Sequence, residues 1–204
     1  MSKPEALRSH QRPASLKRLE AITGASFGRA EDNLSVYIVL DYSGSMRTGS
    51  KLRQAKDGAR EFAEKALKSG YAVGLVQFAT TPRRALIPQR TLDGFHTALN
   101  AWEPAGSTDM GAAIRLVVAE FRDFHGTKVM CLVTDGMPDH VGKALAAARG
   151  AHGAGIDIMA IGTDDADRAF LSKLTTRSEL AVTVKRHEFH KAISDMALLL
   201  PAPR

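Results

Sequence analysis

Five consecutive apolar residues, Val36 to Leu40, end abruptly at the carboxylate of Asp41, and hydroxyl side chains follow at Ser43 and Ser45. An uninterrupted apolar run is typical of a strand buried on both faces, as in parallel sheets covered by helices. Charged and hydroxyl side chains do not suit the interior of such a strand, so we predict that they lie just past its carboxyl end. In open α/β sheets, that edge is where ligands bind. The motif therefore constrains both the fold and the place of a site.

Apolar runs and segments of helical periodicity alternate along the rest of the chain. We predict strands over 35–40, 72–79, 84–87, 128–134, 156–161 and 181–184. We predict helices over 51–68, 93–100, 107–123 (capped by Ser107 or Thr108), 140–152, 166–174 and 188–200. The tight link between the second and third strands is typical of an antiparallel hairpin. This order predicts an α/β fold: a doubly wound, mainly parallel, Rossmann-like sheet of about six strands, with one antiparallel edge strand and helices on both faces.

We predict three segments: a basic N-terminal arm or lead-in over 1–33, the α/β domain over 34–200 and a short tail over 201–204. The formal net charge is +6, and residues 1–18 carry five cationic residues against one glutamate, a net charge of +4. Such an arm could bind nucleic acid. Aromatic residues are only 6% of the chain and do not alternate with a basic stripe, as a stacking platform requires. The pattern favours a solubilising or partner-contacting arm.

The chain has features that favour a cytoplasmic protein. No apolar run approaches the ~20 residues that span a bilayer, and the N-terminus lacks the apolar centre of a secretory signal. The single cysteine, Cys131, excludes an internal disulfide. It lies inside an apolar strand, where we expect a packed and inert thiol.

Three predicted strand-to-helix loops are rich in oxygen and should open on the same edge of the sheet. They contribute Asp41, Ser43 and Ser45, then Thr108, and then Asp135. Taken singly, the hydroxyls could be helix caps and Asp135 a turn residue. Their joint occurrence favours one site for a hard divalent cation such as Mg²⁺, with coordination positions left open.

Asp41-x-Ser43-x-Ser45, Thr108 in a Gly-Ser-Thr-Asp loop and Asp135 in Thr-Asp-Gly resemble the metal-ion-dependent adhesion site (MIDAS) of von Willebrand factor A domains. The resemblance implies that Ser43, Ser45 and Thr108 coordinate the metal directly, whereas Asp41 and Asp135 act mainly through water and hydrogen bonds. It implies Mg²⁺, with Mn²⁺ or Ca²⁺ as substitutes, and a partner's Asp or Glu carboxylate that completes the coordination. We expect a stand-alone, intracellular, bacterial member of the family.

Other residues on the same edge are candidates for a partner-binding rim: Tyr42, Met46, Asp109, Met137, Asp139 and His140. Asp109 is also explained as a first-turn carboxylate, and Asp139 as a helix cap. The acidic loop at 163–167 lacks the glycine and distal glutamate of a calcium loop, so helix capping is favoured. His187 and His190 lack a third ligand, which favours a solvated face over a zinc site.

These observations predict a metal-dependent protein-binding module, an intracellular adaptor or assembly factor, rather than an enzyme. One alternative is a metal-dependent phosphoryl-transfer or hydrolytic enzyme that uses Asp41. Residue 43, where an Asp-x-Asp enzyme has its acid, is a serine, and neither a Walker motif nor a Gly-x-Ser-x-Gly elbow is present. The second alternative is nucleic-acid binding through the basic arm.

Overall fold

The computed structural model describes residues 33–202. The strands are β1 (Leu34–Asp41), β2 (Tyr71–Phe78), β3 (Pro82–Gln89), β4 (Thr127–Thr134), β5 (Ile156–Thr163) and β6 (Ala181–Val184). The α-helices are α1 (Lys51–Lys68), α2 (Phe95–Asn100), α3 (Met110–Glu120), α4 (Val141–Gly153), α5 (Arg168–Leu174) and α6 (Phe189–Met196). The predicted arm over 1–33, apart from residue 33, and positions 203–204 of the predicted tail lie outside the described residues.

The six strands form one sheet in the order β3-β2-β1-β4-β5-β6. β3 pairs antiparallel to β2 at one edge, and the other pairs are parallel. This confirms the predicted fold class. The chain first winds from β1 towards β3 and then returns to place β4 on the other side of β1. The β1–β4 boundary is therefore the switch point of the sheet, where α/β proteins bind ligands.

The central strand β1 is buried on both faces because each face carries a helical layer. Val36, Ile38 and Leu40 pack in one core cluster with residues of α1 and α6. Tyr37 and Val39 pack in the other cluster, with residues of α3, α4 and α5. All five side chains are at most 1% exposed. Polar groups can therefore reach solvent only at the strand's end, which directs the site to the sheet edge.

Several element boundaries differ from the predicted ones. Asp41 is the last residue of β1 rather than a residue beyond it. The predicted cap of α3 at Ser107 or Thr108 is wrong: Asp109 caps this helix, accepting a hydrogen bond from the Ala112 amide at 2.9 Å. The final α-helix ends at Met196, and a 3-10 turn, Ala197–Leu199, continues it.

Within residues 33–202, no helix is long and apolar enough to cross a bilayer. Cys131 lies fully buried in the middle of β4. Burial raises the pKa of its thiol to about 12, because the thiolate would be desolvated. The thiol is packed, as the apolar run predicted.

Candidate metal centre

Three loops meet at the carboxyl ends of β1 and β4. The loop after β1 is bound to the loop before α3 by two backbone hydrogen bonds: the Gly44 amide donates to Gly106 O (3.1 Å), and the Ala105 amide donates to Tyr42 O (2.9 Å). The loop before α3 is bound in turn to the loop after β4, because the Asp139 amide donates to Thr108 O at 3.1 Å. The predicted convergence of these loops is therefore present in the backbone.

Asp41 is fully buried and ties β1 to β4. Its Oδ1 accepts a hydrogen bond from the Ser43 amide at 2.7 Å, and its Oδ2 accepts one from Thr134 Oγ1 at 2.7 Å. Burial raises the pKa of Asp41 to about 6, although these two donors oppose the shift by stabilising the carboxylate. Asp41 is thus a fixed buried anion that sets the path of the chain into the serine loop.

Ser43 and Ser45 present adjacent hydroxyl oxygens. Their Oγ atoms are 3.1 Å apart, and Ser45 Oγ donates to Asp135 Oδ1 at 2.7 Å. Octahedral ligands that lie 2.0–2.1 Å from Mg²⁺ are about 2.9 Å apart when they occupy neighbouring positions. Ser43 is buried whereas Ser45 is exposed. The two oxygens therefore fit adjacent positions around one ion that solvent can reach.

The Thr108 loop is held in place by a carboxylate and a glycine. Asp139 Oδ2 accepts a hydrogen bond from the Thr108 amide at 3.0 Å, and hydrogen bonds from Ser107 and Thr108 lower the pKa of Asp139. Gly106 has φ +75°, and a Cβ there would lie 2.2 Å from Thr80 Oγ1. Only glycine suits this close approach in the left-handed region. Asp139 therefore orients the loop that carries Thr108 and does not cap α4.

Two residues that the sequence analysis gave no role complete the hydrogen bonds of the centre. Thr134 is the partner of Asp41 described above. The other is Lys51, whose Nζ lies 2.8 Å from Asp135 Oδ2 and 2.7 Å from Asp165 Oδ2. Burial lowers the pKa of this ammonium group, but its two carboxylate partners raise it further, so the net shift is upward. A lysine at the start of a helix carries no sequence signal for such a role.

The donor chemistry fits a hard divalent ion. Across residues 33–202, no three His, Cys, Asp or Glu side chains cluster as a metal site. An ion at this edge would therefore depend on hydroxyl oxygens, from Ser43, Ser45 and Thr108, with the carboxylates of Asp41 and Asp135 behind them. An all-oxygen set of this kind suits Mg²⁺ or Mn²⁺.

The prediction of a partner-binding rim is wrong for two of its six residues, because these two are buried. Tyr42 and Met46 are each 0% exposed. The Tyr42 hydroxyl donates to Leu99 O and accepts from Gln77 Nε2, and its ring stacks on Trp102 with the centroids 5.6 Å apart. These contacts support the serine loop from the protein side.

Some of the remaining candidate residues are exposed at the surface, and others cap helices. Met137 and His140 are exposed in the segment after Asp135, and Asp109 is the helix cap already described. In the 163–167 loop, Asp167 caps α5, as the capping interpretation predicted. Of the two histidines in the proposed solvated face, His190 pairs with Glu61 at 2.9 Å, and His187 is 74% exposed on its side chain.

The fold and the residues at its switch point define a class of protein: a mainly parallel α/β domain with a hydroxyl-rich candidate metal centre at the carboxyl edge of its sheet. The family model for the von Willebrand factor type A domain matches residues 35–196. The chain therefore belongs to this family. A search of curated proteins gives no match.

Solved structures of low sequence identity share the fold. One is the vWF domain of the type V pili tip protein Mfa5 from Porphyromonas gingivalis (TM-score 0.73, 13% identity, 82% of this chain and 94% of that one). Another is proximal thread matrix protein 1 from the mussel byssus, with a zinc-occupied MIDAS motif (TM-score 0.69, 20% identity, 81% of this chain and 48% of that one). A third is manganese-loaded TRAP protein from Plasmodium vivax (TM-score 0.67, 14% identity, 82% of this chain and 74% of that one). The chain spans 30% of the pilus adhesin SpaC from Lactobacillus rhamnosus GG and less than half of the mussel protein.

Proposed function

We propose that this chain is a divalent-metal-dependent protein-binding module that captures a carboxylate of a partner protein. The observation that carries the proposal is the pair of serine hydroxyls, with Oγ atoms 3.1 Å apart at the switch point of the sheet. Ser43, Ser45 and Thr108 would hold the ion, and Asp41 and Asp135 would support them. Zinc in the MIDAS motif of the mussel protein and manganese in TRAP protein are consistent with a divalent ion in this fold.

The donor set explains why binding of an external anion is favoured. When bound, Mg²⁺ supplies a localised positive charge and retains open coordination positions. Asp41 has both of its oxygens engaged by protein donors, and Asp135 is engaged by Ser45 and Lys51. Few anionic oxygens would then contact the ion directly. An Asp or Glu of a partner can supply the missing negative charge, and the exposed side chains of Met137 and His140 can contact the residues that flank it.

We propose binding rather than catalysis for the same centre. A phosphoryl-transfer nucleophile must reach its substrate, but Asp41 is 0% exposed and accepts hydrogen bonds on both oxygens. The position two residues later is Ser43, which cannot act as the acid of an Asp-x-Asp pair. Hydrolysis of a phosphomonoester by the wild type that is lost in Asp41→Ala would overturn this part of the proposal.

The test is capture of partners in Mg²⁺ and in EDTA on immobilised protein. We expect partners that are retained in Mg²⁺ and released by EDTA, and that are lost in Thr108→Ala. Thr97→Ala is the matched control, because it removes an exposed threonine hydroxyl of α2, outside the three loops of the centre. Its partners should be those of the wild type. Retention that is equal in EDTA and in Thr108→Ala would refute a metal-bridged contact.

A captured partner then provides the second test. Each exposed Asp or Glu of its contact region is changed to Asn or Gln, and binding is measured again in Mg²⁺. We expect one such change to abolish binding, since an amide cannot replace a carboxylate on the ion. The adaptor or assembly role and the cytoplasmic location are part of this proposal, and the identity and location of the captured partner test them.

A further inference from the structure

The position of Lys51 conflicts with two general rules of protein structure. It is 4% exposed, although lysine is almost never fully buried unless its charge is paired. It is also the first residue of α1, where the positive end of the helix dipole disfavours a cation. Both placements destabilise the folded state, so a compensating interaction is required at this position.

Two carboxylates provide that interaction. The Lys51 ammonium lies between Asp135 Oδ2 and Asp165 Oδ2, at 2.8 Å and 2.7 Å. The Asp135 side chain is 1% exposed, whereas that of Asp165 is 51% exposed. Asp41, the other carboxylate of the centre, is held by neutral donors only. One of the two carboxylates of the metal centre therefore already has a cationic partner supplied by the protein.

We propose that Lys51 is a built-in cation that sets the affinity of the metal centre. This inference rests on the proposed function. Asp41 and Asp135 carry two negative charges, and Lys51 reduces their sum to one. A divalent ion is then attracted less strongly than it would be by the two carboxylates alone, and it exchanges more readily. In the metal-free protein the same ammonium holds Asp135 in position beside Ser45. Lys51 thus acts on the ion through Asp135, as a positioning residue.

The main test removes the charge and keeps the apolar stem, in Lys51→Met. In calorimetric titration with MgCl₂ alone, we expect about tenfold tighter binding, since a repulsive unit charge near a divalent ion has been removed. Loss of the ammonium also leaves Asp135 Oδ2 without its cationic partner in the metal-free state, which acts in the same direction. Mg²⁺ should therefore raise Tm more in the variant than in the wild type. Lys68→Met on the same helix is the matched control, with wild-type affinity expected, because Lys68 is exposed at the opposite end of α1 from Lys51.

A second pair of variants tests the same idea in the opposite direction and does not depend on the folding of Lys51→Met. Asp165→Asn removes the outer partner of Lys51, so the full charge of the ammonium faces Asp135. We expect several-fold weaker Mg²⁺ binding. Asp164→Asn removes the same charge from the neighbouring position, which is also exposed, and keeps both partners of Lys51. Its effect should be smaller.

The outcomes separate this inference from the proposed function. Wild-type or weaker affinity in Lys51→Met would overturn the inference, as would equal weakening in Asp164→Asn and Asp165→Asn. Absence of Mg²⁺ binding by the wild type and every variant would overturn the proposed function and the inference together. Binding by Lys51→Met when the wild type shows none would support the inference, since the ammonium would then exclude the ion.

Discussion

Asp41→Asn should stabilise the metal-free protein at neutral pH while it removes metal binding. The side chain of Asp41 is 0% exposed, so the folded state at neutral pH contains a desolvated carboxylate. Asparagine has almost the same shape and cannot ionise. The variant separates the role of the carboxylate in folding from its role in holding an ion.

The magnitude follows from the pKa of Asp41, which burial raises from the model-compound value of 3.8 to about 6. Two pKa units correspond to about 3 kcal/mol of preference for the neutral form. The amide of asparagine replaces one acceptor by a donor, so one of the hydrogen bonds from Ser43 and Thr134 is lost, at a cost of about 1 kcal/mol. The net gain is about 2 kcal/mol above pH 7, or about 4–8 °C in Tm for a domain of this size.

The stability that Asp41→Asn gains over the wild type should increase as pH rises. Because the folded state has the higher pKa, it binds more protons than the unfolded state between about pH 4 and pH 6. The contribution of Asp41 to wild-type stability is therefore fully present below pH 4 and is lost as pH rises through 6. The advantage of Asp41→Asn is greatest at pH 7.5 and disappears towards pH 4, where the lost hydrogen bond leaves the variant slightly less stable.

The assay is urea unfolding followed by circular dichroism at several pH values in EDTA, and again in saturating Mg²⁺. We expect Mg²⁺ to stabilise the wild type and to leave Asp41→Asn unchanged, so that the order of stabilities reverses. A variant that is less stable than the wild type at pH 7.5 in EDTA would refute the reasoning. A difference that stays constant from pH 4 to pH 7.5 would also refute it, since the effect would not come from ionisation.

Three further substitutions and one labelling experiment test the geometry of the site and the core. Thr108→Ala should weaken Mg²⁺ binding in calorimetry but leave the urea midpoint unchanged, because the backbone amide, not the side chain, bonds to the neighbouring loop. Gly106→Ala should lower the free energy of unfolding by about 1–3 kcal/mol, because φ is positive and Thr80 blocks a Cβ. Gly150→Ala in α4, where a Cβ meets open space, should instead raise it by up to about 1 kcal/mol. Cys131 should resist iodoacetamide at pH 8 until urea unfolds the protein, as mass spectrometry can show.

The fold could be predicted from the sequence because its strong signals are local. The apolar run of β4 and the helical periodicity of α1 identify those elements without knowledge of the rest of the chain. The start of α3 could not be predicted to the residue, since Ser107, Thr108 and Asp109 are all good caps. The choice among them is non-local: Gly106 packs against Thr80 of another loop, and this contact sets where the backbone enters the helix.

The candidate metal centre could be predicted only in part, because some of its features depend on non-local contacts. The sequence predicted that Asp41, Ser43, Ser45 and Asp135 converge, because the carboxyl ends of adjacent parallel strands share an edge. It did not predict the burial of Tyr42, whose ring turns inward between two polar neighbours and stacks on Trp102. Adjacency to a site residue does not establish exposure where the chain reverses direction.

The residues that oppose simple folding rules lie together at the switch point. Asp41 is a carboxylate placed in the core, and Lys51 is a buried cation placed at the positive end of a helix. Each would be destabilising in isolation. Asp41 accepts a hydrogen bond from the Ser43 amide, and Lys51 is linked to Ser45 through Asp135. Proteins concentrate such violations where function requires them. At pH 7 Asp41 is ionised, because its pKa is about 6, and Lys51 already offsets the charge of Asp135. The centre is therefore held with its anions formed and partly neutralised, which favours an ion that binds and leaves over one that is permanently retained.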